Sequence, residues 1–167
     1  MAKESVLAVS KDVQSKFTDA VLGTAEHAGD HILIVHRDYV HDVLKFLKEE
    51  HHFIYLADIV AADRFTEDDR FEVIYNLMSL RDQHRIFVKT RVPEDNPVVP
   101  TATDIWKGAN WNEREAYDMF GITFQGHPDP RRIFMPEDFK YHPLRKEFPL
   151  IGVPGSLELP NTNPDAE

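Results

Sequence analysis

The chain has 167 residues with 29 Asp and Glu against 19 Lys and Arg, a formal net charge of −10, and no cysteine. That acidity argues against a nucleic-acid binder, whose affinity rests on neutralising phosphates, and the lack of cysteine excludes disulfides, cysteine-ligated zinc and thiolate-bound iron–sulfur clusters. With 42% hydrophobic residues the composition suits a globular domain with one sizeable core; no apolar run approaches the roughly 18 residues of a membrane span.

The amino terminus, MAKESVLAVSKDVQSKF, lacks the apolar core and cleavage site of a secretory signal, so the expected compartment is the cytoplasm. Ser10 is placed to cap a first helix carrying Val13, Phe17, Ala20 and Val21 at helical spacing, with Gly23 ending it. His31 to Val35 reads as a short buried strand. Asp38 suits the N-cap of a second helix with Val40, Val43, Leu44 and Leu47 on one face, running to about Glu50 ahead of His51 and His52. Phe53 to Val60, Phe71 to Leu80 and His84 to Val92 read as three strands of an antiparallel meander, joined by Ala61 to Arg70 and by a turn at Arg81 to Gln83. Thr101 and Asp104 predict a capped helical turn through Trp106, closed by Gly108. Asn110 and Glu113 predict the start of a further helix, with Gly121 as its C-cap.

All 11 prolines fall at or after Pro93. Proline removes an amide donor and fixes φ, so the proline-free half can be hydrogen-bonded helix and sheet, whereas the rest is mostly turns and extended chain. The expected division is an α+β domain over residues 1–92, connecting helices over 93–121, and an extended arm and tail over 122–167. The domain is expected to be two-layered, a mixed or antiparallel sheet with helices on one face, leaving the other face or an edge for a partner.

The segment Glu113 to Leu150, EREAYDMFGITFQGHPDPRRIFMPEDFKYHPLRKEFPL, interleaves charges and aromatics; it holds six Lys and Arg against seven Asp and Glu. GITFQGH has the glycine spacing of a phosphate loop without the Lys and Ser or Thr that grip phosphate and magnesium, and no GxGxxG or GxSxG stands in the chain. Glu113, Glu115, Asp118, His127, Asp129 and His142 could ligate a metal, but no HExxH places two on one helix face, and Arg114, Arg131 and Arg132 compete for the carboxylates. Aromatics beside arginines are the mixture of protein interfaces; the plainer reading is a solvated charged surface. Paired guanidiniums at Arg131 and Arg132 suit docking on a partner's carboxylates or carbonyls. The alternative for them is a bridge to Glu113, Glu115 or Asp118 within the chain.

At Glu113, Arg114, Glu115, Asp118, Met119, Phe120, His127, Arg131, Arg132 and Ile133 the chain resembles the C subunit of the proton-pumping NADH-quinone oxidoreductases, respiratory complex I. The likeness continues into HPLRKEFPL, with Glu147 where the family usually has Asp, and Pro130 stands where Leu is commoner. The resemblance implies a peripheral subunit on the cytoplasmic side of the cell membrane, held there through its partners and doing no chemistry alone. It implies no cofactor on this chain, in a complex that uses FMN, iron–sulfur clusters, NADH and quinone. The arm is then expected to wrap the quinone-cavity subunit and the subunit with the terminal iron–sulfur cluster, among other peripheral-arm subunits. Its contacts would run through Glu113, Arg114, Glu115, Asp118, His127, Arg131, Arg132, Ile133, His142, Pro143, Arg145 and Lys146. The alternatives are the equivalent subunit of a membrane-bound hydrogenase or ferredoxin-fed complex, a metal-dependent hydrolase using the Glu, Asp and His cluster, and a soluble acidic adaptor. Metal analysis and an absorption spectrum of the purified chain are expected to show no iron, flavin or other tightly held metal; stoichiometric metal retained through gel filtration would return the hydrolase reading.

Overall fold

Alternating apolar residues build the sheet. In the computed structural model, which describes residues 2–65, 67–149 and 152, β4 (Phe71–Ser79) and β5 (His84–Val92) bury Phe71, Val73, Tyr75, Leu77, Ile86, Val88 and Val92 on one face. With β1 (Val21–His27), β2 (Asp30–Val35) and β3 (Tyr55–Asp63) they form a five-stranded sheet in the order β1-β2-β5-β4-β3. The β3-β4-β5 meander is antiparallel as expected, β1 and β2 form an antiparallel hairpin, and β2 joins β5 in parallel. Helices α1 (Ala2–Lys16) and α2 (Val40–His51) pack against β5, and the buried residues of both share one apolar cluster with the sheet. The result is the expected α+β fold.

Several boundaries differ. The first helix ends at Lys16, and Val21 and Gly23 belong to β1 instead. Edge strand β1 is mostly exposed, so it lacks the alternation by which a half-buried strand is read. Its hairpin closes through Ala28 and Gly29, both at positive φ. Ser10 lies inside α1, whose buried face is Val6, Val9 and Val13. Asp38 is not the cap of α2: it sits in a 3-10 turn, Arg37–Tyr39, and Tyr39 precedes the helix without a side-chain cap bond. Leu47 O receives the amide of His52, which ends α2 at φ 57 as a left-handed C-cap. His51 reaches Asp12 of α1 at 2.9 Å.

Three differences lie in the second half. Val98–Pro100 (β6) and Thr123–Gln125 (β7) pair as a short parallel ladder, although the first reads in sequence as part of a proline breaker. The Thr101–Asp104 capping box is absent. Thr101 donates to Glu113 and Asp104 pairs with His41 at 2.9 Å, but the single helical turn expected through Trp106 is present, the Trp106 amide donating to Ala102 O at 2.8 Å. Helix α3 (Ala109–Phe120) starts at Gly108 without a side-chain cap, placing Asn110 and Glu113 inside it, and ends as expected at Gly121, φ 78. From Gly126 to Pro149 the chain has turns and no helix or strand.

Helix α3 packs along β3, and the Trp106 indole donates to Ile54 O at 3.1 Å. Ile105, Trp106, Met119, Phe120, Ile122 and Phe124 belong to the same buried cluster as the sheet. The proposed unit 1–92 is tested by ending the chain at Val92. Each large apolar side chain so removed takes away about 1.5–3 kcal/mol of burial, so the short chain should melt cooperatively but roughly 10 °C or more below the full chain. No cooperative transition would show that 1–92 is not a unit, and an unchanged melting point that residues 93–124 add nothing to it.

Candidate functional site

Helix α3 turns Glu113, Arg114 and Asp118 inward and Glu115 outward. The Asp118 carboxylate is fully buried. Its Oδ2 accepts three consecutive amides of the arm, from Ile133, Phe134 and Met135 at 3.1, 2.7 and 2.9 Å, and its Oδ1 accepts Arg132 Nη1 at 2.6 Å. Burial alone would raise this carboxyl, but the three amides and the guanidinium together hold it below its ordinary value. Arg114 grips the other side of the same stretch. Its Nε donates to Arg131 O at 2.8 Å and its Nη2 to Arg132 O at 3.1 Å, while its guanidinium lies 5.2 Å from the centre of the Trp111 ring. One helix thus satisfies both donors and acceptors of an irregular segment, as buried backbone requires.

The open end of α3 is closed by the next part of the arm. A helix leaves its last carbonyls without partners. Here Asp118 O receives His142 Nδ1 at 3.0 Å, Met119 O the Leu144 amide at 3.1 Å, and Phe120 O Arg145 Nε at 2.7 Å. Burial is the main cause of a lowered His142 pKa. Gly121 is required here. It stands at φ 78, and a Cβ on it would lie 2.6 Å from Arg145 Nη2 and 2.7 Å from His142 Nε2.

A second anchor ties the arm to the sheet. Asp63, at the end of β3, accepts Arg70 Nε at 2.9 Å and Nη2 at 2.7 Å, and also the Lys146 amide at 2.8 Å. Arg70, 4% exposed, additionally pairs with Glu94 at 2.8 Å and with Glu147. The Arg70 hydrogen bonds lower Asp63 to about 2, and those of Asp63 raise Arg70. Glu147 is the arm's carboxylate in this cluster.

The twelve residues expected at an interface therefore divide. Glu113, Arg114 and Asp118 are buried. Arg132, with a side chain 10% exposed, bridges to Asp118 and to Tyr141 O at 3.2 Å, the within-chain arrangement weighed for it. His127 places Nε2 on Asn110 O at 3.2 Å. His142, Arg145 and the Lys146 backbone serve the clasp, while Ile133 and Pro143 are half-buried. Glu115 and Arg131 face outward, the latter 68% exposed and paired with Asp129 at 2.7 and 2.8 Å. Trp111, Phe134, Tyr141 and Leu144 are also exposed. Asp63, Arg70 and Glu94 were invisible as a site in the sequence, because Arg70 and Glu147 are 77 positions apart. Among the described residues no three His, Asp or Glu form a group able to hold a metal ion, including the six weighed as ligands.

The family described as Respiratory-chain NADH dehydrogenase, 30 Kd subunit, matches residues 33–154. The C subunit of NADH-quinone oxidoreductase from Roseiflexus castenholzii is 45% identical over 140 residues, 83% of this chain and 80% of the relative. Its counterpart from Geotalea uraniireducens is 41% identical over 140 residues, 84% and 87% of the two chains. Among solved structures, the trypsin-resistant fragment of Nqo5 is similar with TM-score 0.66 and 37% identity, over 77% of this chain and 99% of the fragment. A chain of the membrane-bound sulfane sulfur reductase, an archaeal respiratory membrane complex, is similar with TM-score 0.75 and 26% identity, over 88% and 87%.

Replacing Asp118 by Ala leaves the Arg132 charge and three amides without their acceptor. Breaking a buried pair in this way costs about 3–5 kcal/mol, so denaturant unfolding should report a loss of that size, with protease cleavage appearing between Pro128 and Tyr141. A loss under about 1 kcal/mol would mean that water replaces the carboxylate without penalty.

Proposed function

The chain belongs to the respiratory-chain NADH dehydrogenase 30 kDa subunit family, and on that footing we propose that it is a non-redox scaffold of the peripheral arm of the NADH-quinone oxidoreductase. The observation that carries this reading is the outward apolar set on α3 and the clasped segment. Trp111 on α3 and Phe134, Tyr141 and Leu144 on the arm are 64%, 60%, 49% and 52% exposed, and the arm's backbone is held by Asp118, Arg114 and Asp63. Large aromatics and arginine on a pre-ordered surface are what binding hot spots use, since little is lost in ordering them. The partners proposed are the quinone-cavity subunit and the subunit with the terminal iron–sulfur cluster, together with other peripheral-arm subunits. FMN, the clusters, NADH and quinone are assigned to those subunits, and this chain would contribute position only. Among the described residues no helix is long and apolar enough to cross a membrane; attachment to the cytoplasmic face would run through partners.

A second reading has one observation in its favour. The likeness to a chain of the membrane-bound sulfane sulfur reductase supports the equivalent subunit of a related respiratory membrane complex.

The test separates docking from folding. Arg131→Glu and Phe134→Ala alter side chains whose charge or ring lies outside the clasp, so each isolated variant should melt within a few degrees of the parent chain. Loss of a central aromatic anchor costs about 2–4 kcal/mol at a protein interface, so membranes from cells carrying Phe134→Ala should show depleted complex and reduced NADH-quinone reductase activity. Normal assembly of both variants would overturn the assignment of this face, and a collapsed melt of Arg131→Glu would make that residue structural.

A further inference from the structure

One buried charge has no role in the clasp. The Glu113 carboxyl is fully buried and, unlike Asp118, receives no guanidinium; its hydrogen-bond donors are Thr101 Oγ1, 2.5 Å from Oε2, and the Ala102 amide, 2.6 Å from Oε1. Arg114, its neighbour on α3, is turned to the arm carbonyls. His127, after β7, stands 3.9 Å away. Its Nδ1 accepts the Asp129 amide at 3.0 Å, so Nε2 carries the hydrogen and spends it on Asn110 O. The Tyr75 phenol of β4 is fully buried without a hydrogen-bond partner among the described residues, and burial, with a smaller push from Glu113, raises its pKa, while Asp104, on the loop after β6, adds a like charge.

The hydroxyl chain at this carboxyl works in either direction. Thr101 Oγ1 lies 2.9 Å from Thr103 Oγ1 and accepts the Thr103 amide at 3.2 Å. With Glu113 ionised, Thr101 donates to Oε2 and Thr103 donates to Thr101. With a proton on Oε2, Glu113 donates to Thr101 and Thr101 donates to Thr103. In both states Thr101 makes one donated and two accepted hydrogen bonds, Oε1 keeps the Ala102 amide, and no heavy atom moves. Thr103 is half-buried, and Glu113 also lines a cavity of about 250 Å³ together with Arg114, Tyr117 and His127.

We propose that the Glu113 carboxyl is a proton-binding site, where an added proton is held on Oε2 by reversal of the Thr101–Thr103 hydroxyl chain. The energetics agree. Burial, with a smaller push from Asp104, raises Glu113 from 4.5 to about 7, against the opposing bonds of Thr101 and Ala102. A group whose pKa is higher folded than unfolded contributes stability that is complete below its unfolded value and lost as pH rises through the folded one. The site therefore favours the fold most below about pH 4.5 and ceases to do so above about pH 7.

An infrared difference spectrum of the full chain between about pH 5.5 and pH 8.5 should show the C=O stretch of one un-ionised carboxylic acid disappearing, and Glu113→Gln should lack it. In Thr101→Val, which removes a donor to the carboxylate, the midpoint should move up. Denaturant unfolding of the parent chain should weaken over that range relative to Glu113→Gln, by roughly thirtyfold in the unfolding equilibrium constant. If Glu113→Gln does not fold, the parent band and the Thr101→Val midpoint carry the test. No acid band in the parent at about pH 5.5, or a band whose midpoint ignores Thr101→Val, would overturn the proposal.

Discussion

Three successive amides converging on one buried carboxylate oxygen set the course of the arm from Ile133 to Met135. Asp118 can hold them because α3 fixes its side chain and because Arg132 takes the other oxygen. A proline-rich segment cannot satisfy its own backbone. Here the helix does so from its flank, through Asp118 and Arg114, and the arm in return caps the last carbonyls of the helix. Neither would be tolerable in an apolar setting without the other, since an unpaired buried donor or acceptor costs on the order of 1–3 kcal/mol. Irregular backbone is thus held as firmly as a ladder strand.

The cluster around Arg70 extends that hold to the sheet. Three carboxylates, from β3, from the 93–97 loop and from the arm, share one guanidinium that is almost wholly buried. A charge so placed is stable only while its partners are present. Between the two anchors the His142 and Arg145 side chains turn in to the α3 carbonyls, while Tyr141 and Leu144 are exposed. The conformational entropy of ordering this segment is lost within the chain.

Much of this was legible in sequence. The meander showed through period-two alternation, α2 through its apolar stripe, and the C-cap of α3 through Gly121. The motif from Glu113 to Ile133 marked the site because its charges stand too regularly for a loop. What escaped has physical causes. Edge strand β1 buries one face poorly, and β6 and β7 are three residues each, too short for a period. Thr101 and Asp104 carry the residue types of a helix cap but spend them on Glu113 and His41. Above all, which of two arginines turns inward depends on partners far along the chain, and Arg131 and Arg132 are indistinguishable in a string of letters.

The parallel pairing of β2 with β5 has a kinetic meaning. The β1-β2 hairpin and the β3-β4-β5 meander each close over short stretches of chain, whereas His31 meets Ile86 only after the intervening helix and two strands exist. Non-local pairings of this kind carry a larger loop-closure cost and form late. The Lys146 contact to Asp63 spans 83 positions and comes later still. The Asp63–Arg70 pair spans seven positions, whereas the arm amide that joins it lies 83 positions beyond Asp63. The arm therefore docks onto a surface finished before it, and its folding resembles the binding of a tethered peptide more than the growth of a core.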